Sequence, residues 1–204
     1  MVMLYDILKE RKICIYIGDV HMRLFGKLKG VKAKNLCPQF RYQPFIYENG
    51  CVEWGKDICQ CCGKKVNKYI NMIYSEQEVD CICLECIANG KASKKFNGTF
   101  IQDVEKVIDD EEKTKELFER TPGYVSWQGE YWLTCCDDYC AYIGTVGIKE
   151  LQEMGIVEEA LAEYENRNER YENIRENLTK NGSLCGYLFQ CLHCGKYRLW
   201  VDAD

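Results

Sequence analysis

The sequence predicts an α+β fold in which two β lobes, each of the zinc-ribbon type, are bridged by helices. Three observations support this. Cys-x-x-Cys pairs occur in the first half and at the end of the chain, short strand-like segments flank them, and a charged helical stretch lies between them. With 204 residues, 47% of them hydrophobic and 29% charged, the chain is long enough to bury a core.

The first segment is a predicted N-terminal extension, residues 1–34, which precedes a main domain at 35–204. The extension carries eight Lys and Arg against three Asp and Glu, although the whole chain has a net charge of −5. Its segment "ICIYIGDV" has strand-type residues and a Gly-Asp turn signal. After the boundary, "CPQFRYQPF" holds two of the three prolines and is therefore expected to be extended.

A first lobe is predicted at 35–98, as a turn, a strand, a second strand and a second turn. The segment "VNKYINMIY" has the β-branched and aromatic residues of a strand. The segment "ECIANGKASKKF" begins like a short helix, which we expect to end at Gly90.

A mostly helical region is predicted at 99–180. Apolar spacing in "IQDVEKVIDDEEKTKELFER" predicts two short helices broken around Asp110, and Trp127, Tyr131 and Trp132 have the spacing of one helix face. "CAYIGTVG" reads as a strand, followed by helices in "IKELQEMGI" and in the charged stretch that ends at Asn181-Gly182. Residues 181–204 then form a hairpin that completes the second lobe together with 135–140.

The first cysteine site is the stronger motif. Two Cys-x-x-Cys pairs are separated by 20 residues, a spacing typical of zinc sites, because each turn points two thiolates at one centre. The predicted ligands are Cys59, Cys62, Cys83 and Cys86. Cys61 and Cys81 are interpreted as small buried hydrophobic residues, although either lies near enough in sequence to replace a ligand.

The second cysteine site is built around the last pair, in "CLHCGK", which repeats the Cys-Gly-Lys ending of the first turn. It needs partners, and the cysteines at 135, 136 and 140 are the candidates. The predicted ligands are Cys136, Cys140, Cys191 and Cys194. Cys135 or His193 could substitute for one of them.

Two structural zinc ions are the expected cofactors, because four thiolates close the coordination shell and leave no position for a substrate. Spacing alone also fits an iron–sulfur cluster, and a redox role would need an exposed thiolate in a thioredoxin-like setting, which the sequence lacks. No catalytic motif is found, so we expect no enzyme activity. The absence of a signal peptide and of a long apolar run predicts a cytoplasmic protein without a membrane partner.

Four blocks of sequence resemble the bacterial CbrC family: "ICQCCGK", "CLECIANGKASKKFNGTF", "RTPGYVSWQGEYWLTCCDDYCAYIG" and "GSLCGYLFQCLHCGKYRLWVD". The resemblance covers residues 36–204 and leaves the extension outside. The family is poorly characterised, is known for its Cys-x-x-Cys motifs, and is associated with tolerance to a nuclease colicin. The resemblance therefore implies an immunity or tolerance protein that neutralises a bacterial toxin.

Two surfaces follow from these functional hypotheses. A basic toxin would meet acidic helices or an aromatic patch, whereas nucleic acid would meet a lysine-rich patch. The candidate toxin-binding residues are Asp109, Asp110, Glu111, Glu112, Glu158, Glu159 and Glu163, with Tyr124, Trp127 and Trp132. The candidate nucleic-acid-binding residues are Lys27, Lys29, Lys32, Lys34, Lys64, Lys65, Lys94 and Lys95. The net negative charge makes nucleic acid the alternative partner, beside a redox or metal-handling role.

Overall fold

Short strands and short helices alternate along the chain in the computed structural model, which describes residues 37–167, 171 and 173–204. The strands are β1 (Glu53–Ile58), β2 (Lys65–Tyr69), β3 (Asp103–Val104), β4 (Tyr131–Trp132), β5 (Thr134–Cys135), β6 (Asp138–Tyr139), β7 (Ala141–Val146), β8 (Leu184–Gln190) and β9 (Tyr197–Ala203). The helices are α1 (Leu84–Ala88), α2 (Lys91–Phe96), α3 (Glu111–Arg120), α4 (Ile148–Met154), α5 (Val157–Asn166) and α6 (Ile174–Asn177). The predicted α+β class is confirmed.

The predicted extension, with its strand at 13–20 and its four lysines, lies outside the described residues. Its boundary at residue 34 therefore stays a prediction. Residues 39–204 form one compact unit.

The first lobe is an antiparallel ribbon of β1 and β2 followed by α1 and α2. The predicted strand ran on to Tyr74, but β2 ends at Tyr69, because beyond it Ile70 forms only a single bridge with Ile82 and Tyr74 one with Thr99. The first helix ends before Gly90, as expected, and this glycine adopts φ +70, which lets α2 begin at once in a new direction.

The middle region contains fewer helices than predicted. Instead of two helices around Asp110, β3 pairs in parallel with β4, and α3 begins after Asp110, whose Oδ1 accepts a hydrogen bond from the Lys113 N–H at 3.1 Å. The predicted helix through Trp127, Tyr131 and Trp132 is also wrong. Gly129 at φ +95 interrupts that segment.

A buried tyrosine then fixes the chain next to this glycine. The Tyr124 hydroxyl accepts from the Tyr131 N–H at 2.9 Å and donates to the Tyr131 carbonyl at 3.0 Å, so the peptide groups of Tyr131 are satisfied without a helix. The rings of Tyr124 and Tyr142 stack with their centroids 4.4 Å apart, and Trp132 is fully buried beside them. This aromatic cluster is the core of the second lobe.

The second lobe is a three-stranded antiparallel sheet in the order β7-β8-β9, with α5 packed on β9. The predicted C-terminal hairpin is confirmed as β8, a turn and β9 in continuous register. The predicted long charged helix is shorter than expected, since α5 ends at Asn166 and only the four-residue α6 follows. None of the described helices has the length and apolar composition needed to cross a membrane.

Candidate metal centres

The first centre begins with a tight turn between β1 and β2. The Cys59 N–H donates to the Lys64 carbonyl at 2.9 Å, and the Gly63 N–H donates to the Cys59 carbonyl at 2.7 Å. Gly63 adopts φ +73, a conformation that residues with a Cβ rarely reach. The turn thereby brings the side chains of Cys59 and Cys62 to the same side of the chain.

The other two thiols of this centre come from the start of α1. Cys83 is the N-cap residue and Cys86 lies in the first turn of the helix. The Cys83 N–H donates to the Cys59 Sγ at 3.2 Å, and the Sγ atoms of Cys62 and Cys83 are 3.8 Å apart. All four sulfur atoms lie within 4.8 Å of one another. The structure thus brings together the four cysteines that the spacing predicted.

Cys61 and Cys81 lie outside this group of four. Cys81 is buried, and burial raises the pKa of its thiol to about 11. Cys61 is half-buried and packs against the apolar core of the first lobe.

The electrostatics of the first centre favour a bound cation. Burial raises the pKa of the Cys59 thiol, but N–H groups of Cys83, Cys62 and Cys61 outweigh it and bring that pKa down to about 7. Burial and the neighbouring sulfur atoms instead hold the pKa of the Cys86 thiol above its usual range. Such crowded thiols cannot all ionise unless a cation replaces the protons.

The second centre contains a turn with the same hydrogen bonds as the first. The Cys191 N–H donates to the Lys196 carbonyl at 2.9 Å, and the Gly195 N–H donates to the Cys191 carbonyl at 3.1 Å. Gly195 adopts φ +74. Burial raises the pKa of the Cys191 thiol, but N–H groups of Cys194 and His193 outweigh it and lower that pKa to about 6. The last turn of the chain is therefore half of a second thiol site.

The other half is a two-residue hairpin turn between β5 and β6. Cys136 and Asp137 both have positive φ angles, 53° and 52°, as a type I′ turn requires. The Cys135 Sγ lies 3.7 Å from the Sγ of Cys136 and 3.7 Å from that of Cys194. The four sulfur atoms of Cys135, Cys136, Cys191 and Cys194 all lie within 4.8 Å of one another.

Cys140 lies outside this second group, and Cys135 takes the place expected for it. The prediction assumed a helix end or a loose turn at 136–140. The hairpin instead reverses the chain, so Cys140 falls at the start of β7, fully buried in the aromatic core. Its carbonyl accepts a hydrogen bond from the indole N–H of Trp132 at 2.8 Å.

His193 also stays outside the thiol group and binds a buried carboxylate. Its Nε2 lies 2.8 Å from Oδ2 of Asp138, which also accepts from the Arg41 guanidinium, while Oδ1 accepts from the Tyr42 hydroxyl at 2.9 Å. The Asp138 side chain is 1% exposed. Asp138 follows the β5–β6 turn, so this network ties the two halves of the second centre to each other.

A second ionic network lies next to Cys135. Arg198 donates to both carboxylate oxygens of Glu105, at 2.5 and 3.0 Å, and to Glu163 at 2.7 Å. Glu105 in turn accepts from the Thr134 N–H at 3.0 Å, which fixes the strand that carries Cys135. The sequence analysis missed this network, although an arginine within the apolar strand "YRLWVDA" is a signal for a buried ion pair.

A family model described as "Uncharacterised protein family (UPF0167)" matches residues 37–203. The chain belongs to this family. The matched residues include all eight cysteines of the two centres, so both centres lie inside the UPF0167 domain.

Curated relatives support the assignment. A UPF0167 protein of Pseudomonas aeruginosa is 35% identical over 173 residues, which cover 81% of this chain and 96% of the relative. UPF0167 proteins of Mycobacterium bovis and Mycobacterium tuberculosis are each 35% identical over 173 residues and are covered to 92%. No solved structure matches the chain.

Proposed function

We propose that each group of four thiols holds one structural zinc ion. The observation that supports this is the spacing of the sulfur atoms. A tetrahedron with Zn–S bonds of about 2.3 Å has edges of about 3.8 Å, and the nearest Sγ pairs are 3.8 Å apart in the first centre and 3.7 Å in the second. The fit is to a metal ion, since a disulfide would need a separation of about 2.05 Å.

The zinc assignment is tested by native mass spectrometry of the protein purified from its own host. We expect two zinc ions per chain, and one in the Cys194→Ser variant, with a sharply lower melting temperature. Cys61→Ser is the matched control, because it alters a thiol within the first turn and outside the group of four. Bound iron with visible absorbance, or no metal with paired thiols, would refute the assignment.

The proposed protein is not an enzyme, because two closed four-thiolate sites leave no coordination position for a substrate. His193 is the one imidazole among the residues that the structure describes, and it is hydrogen-bonded to Asp138. Reduced thiols in such number suit the bacterial cytoplasm, which is the location we propose.

The proposed activity is neutralisation of a nuclease toxin, and the resemblance to the CbrC family is its main support. Exposed carboxylates on α3 and α5 offer a surface for a basic partner. The candidate set is smaller than the sequence suggested, however. Glu163 is engaged by Arg198, and Tyr124 and Trp132 are buried in the core. Glu111, Glu112, Glu158 and Glu159 remain, with Trp127 as the exposed aromatic residue.

A survival assay tests this activity. Bacteria challenged with a DNase colicin are expected to survive when they co-express this chain, and survival is expected to fall for the double variant Glu158→Lys/Glu159→Lys. Glu153→Lys, at an exposed carboxylate on α4, is the matched control. Killing that co-expression leaves unchanged would rule out neutralisation of that toxin.

A further inference from the structure

The β1–β2 ribbon exposes large apolar side chains for which the metal centres give no reason. Trp54 is 59% exposed and Ile58 is 55% exposed, although both stand in a regular strand. An indole left in water on a projecting ribbon is typical of a binding surface, because burying it against a partner is strongly favourable.

The same ribbon is basic in an acidic chain. Residues 53–69 contain four lysines against Glu53 and Asp57, a local charge of +2, whereas the whole chain carries −5. Lys56, Lys64 and Lys65 are exposed, and within residues 37–167, 171 and 173–204 no carboxylate forms an ion pair with them. These three ammonium groups are therefore available to an anionic partner.

The register of the ribbon places the aromatic and basic groups along one track. Trp54 pairs with Lys68, whose Nζ lies 4.7 Å from the indole centroid, and Ile58 pairs with Lys65 at the other end. Four residues of strand separate the two pairs, which is about 13 Å. A bulge between Trp54 and Asp57 twists the ribbon between them.

We propose that this ribbon binds single-stranded RNA. A base stacks on the open face of the Trp54 indole, and the lysines neutralise the phosphates on either side. Aromatic stacking combined with a basic track is the general means by which proteins hold single strands, and stacking requires an unpaired base. Unpaired loops and ends are the form in which proteins read RNA, so RNA is the partner to which we assign the surface.

The first metal centre positions this surface, because the turn that joins the two strands is the Cys59–Cys62 turn. The Lys95 ammonium donates to the carbonyls of Gln60 and Cys61 at 2.6 and 3.0 Å and so partly offsets the negative charge of the thiolates. Lys64 and Lys65 follow that turn directly and remain exposed.

Fluorescence anisotropy of labelled oligouridine, about 12 nucleotides long, tests the proposal on the zinc-loaded full chain. We expect binding at low salt, and a dissociation constant that rises with salt at a logarithmic slope of about 2, since three lysines contribute about 0.7 each. Trp54→Ala should weaken binding about tenfold. Trp127→Ala is the matched control, because Trp127 is 54% exposed and lies outside the ribbon.

The proposal is overturned if oligouridine does not bind at low salt, or if Trp54→Ala and Trp127→Ala bind it equally. Tighter binding of oligothymidine or of duplex RNA would equally reject RNA single strands as the partner. The double variant Lys64→Glu/Lys65→Glu tests the charges without altering the indole, with Lys149→Glu as its control. Since Glu158→Lys/Glu159→Lys should leave RNA binding intact, failure of toxin neutralisation and failure of RNA binding are distinguishable.

Discussion

The two metal centres share one turn geometry but differ in how the protein encloses them. In the first centre Cys62 alone is exposed and the other three cysteines are buried. In the second centre Cys191 alone is buried, Cys135 is half-buried, and Cys136 and Cys194 are exposed. The first centre is thus part of a core, whereas the second lies at the edge of one.

The centres also differ in how much chain they close. The first centre takes its ligands from 28 residues, 59–86, and the second from 60 residues, 135–194. The first is therefore a local staple of a small lobe. The second joins a hairpin to the C-terminal turn across the helices, and the Asp138 and Arg198 networks hold those two parts in place. The difference teaches that one motif can serve local folding in one lobe and long-range closure in the other.

The largest expected effect is loss of the first centre. We expect Cys59→Ser to unfold the first lobe, because its small core is packed around three of the ligand cysteines and structural zinc contributes on the order of 10 kcal/mol to folding. Hydrogen exchange should then show loss of protection at 52–100.

Cys194→Ser is the matched comparison. The three-stranded sheet has its own aromatic and aliphatic cores, so its amides at β7, β8 and β9 should stay protected in that variant. Equal loss of protection in both lobes for either variant would contradict the distinction between a local and a long-range centre.

The next largest effect separates the two candidate ligands of the second centre. Cys135→Ser should reduce the zinc content from two ions to one, because its sulfur lies 3.7 Å from that of Cys194. Cys140→Ser should keep both ions, since Cys140 packs in the aromatic core outside the group. Metal analysis of the purified variants decides this, and the opposite pattern would restore Cys140 as the ligand.

A smaller difference is expected in the rate of zinc release. Exposed thiolates react with peroxide or a chelator before buried ones. A zinc-sensitive dye should therefore report two phases, with the second centre emptying first and Cys194→Ser removing the fast phase. A single phase, or a fast phase that survives in Cys194→Ser, would show that exposure of the cysteines does not govern release.

The sequence was sufficient to predict those features that depend on local geometry. The two Cys-x-x-Cys turns, the helix that starts after Cys83 and the C-terminal hairpin each follow from a few neighbouring residues with turn or periodicity signals. The first group of four cysteines belongs to this class, because its pairs lie in two such turns separated by one strand.

Features that depend on tertiary contacts were missed. Cys135 and Cys136 lie at a hairpin turn without the usual Asn-Gly signal, so nothing local distinguished Cys135 from Cys140. The aromatic residues around Trp132 have helical spacing, but burial against Tyr124 and Phe189 overrides it. The partnership of Glu105 with Arg198 joins residues 93 positions apart, and no sequence pattern indicates it.

The smallest expected effect concerns that partnership, which supports the second centre and has no counterpart at the first. Glu105→Gln should lower the free energy of unfolding by about 2 kcal/mol, because Arg198 is left partly buried beside a neutral amide. Denaturant unfolding at pH 7 measures this. Glu158→Gln is the control, since Glu158 and Arg175 form an exposed pair, and there we expect no measurable change.

The pH dependence of the difference identifies the charge as its cause. Burial raises the pKa of Glu105, but the hydrogen bonds from Arg198 and Thr134 outweigh it and hold that pKa below its usual range. A carboxylate with a depressed pKa in the folded state stabilises fully above its unfolded pKa of about 4.3. The stabilisation is lost as the pH falls through the lower folded value. The gap between the wild type and Glu105→Gln should therefore be constant near neutrality and close below about pH 4. A gap that persists in acid would mean that shape, and not charge, holds Thr134 and Cys135 in place.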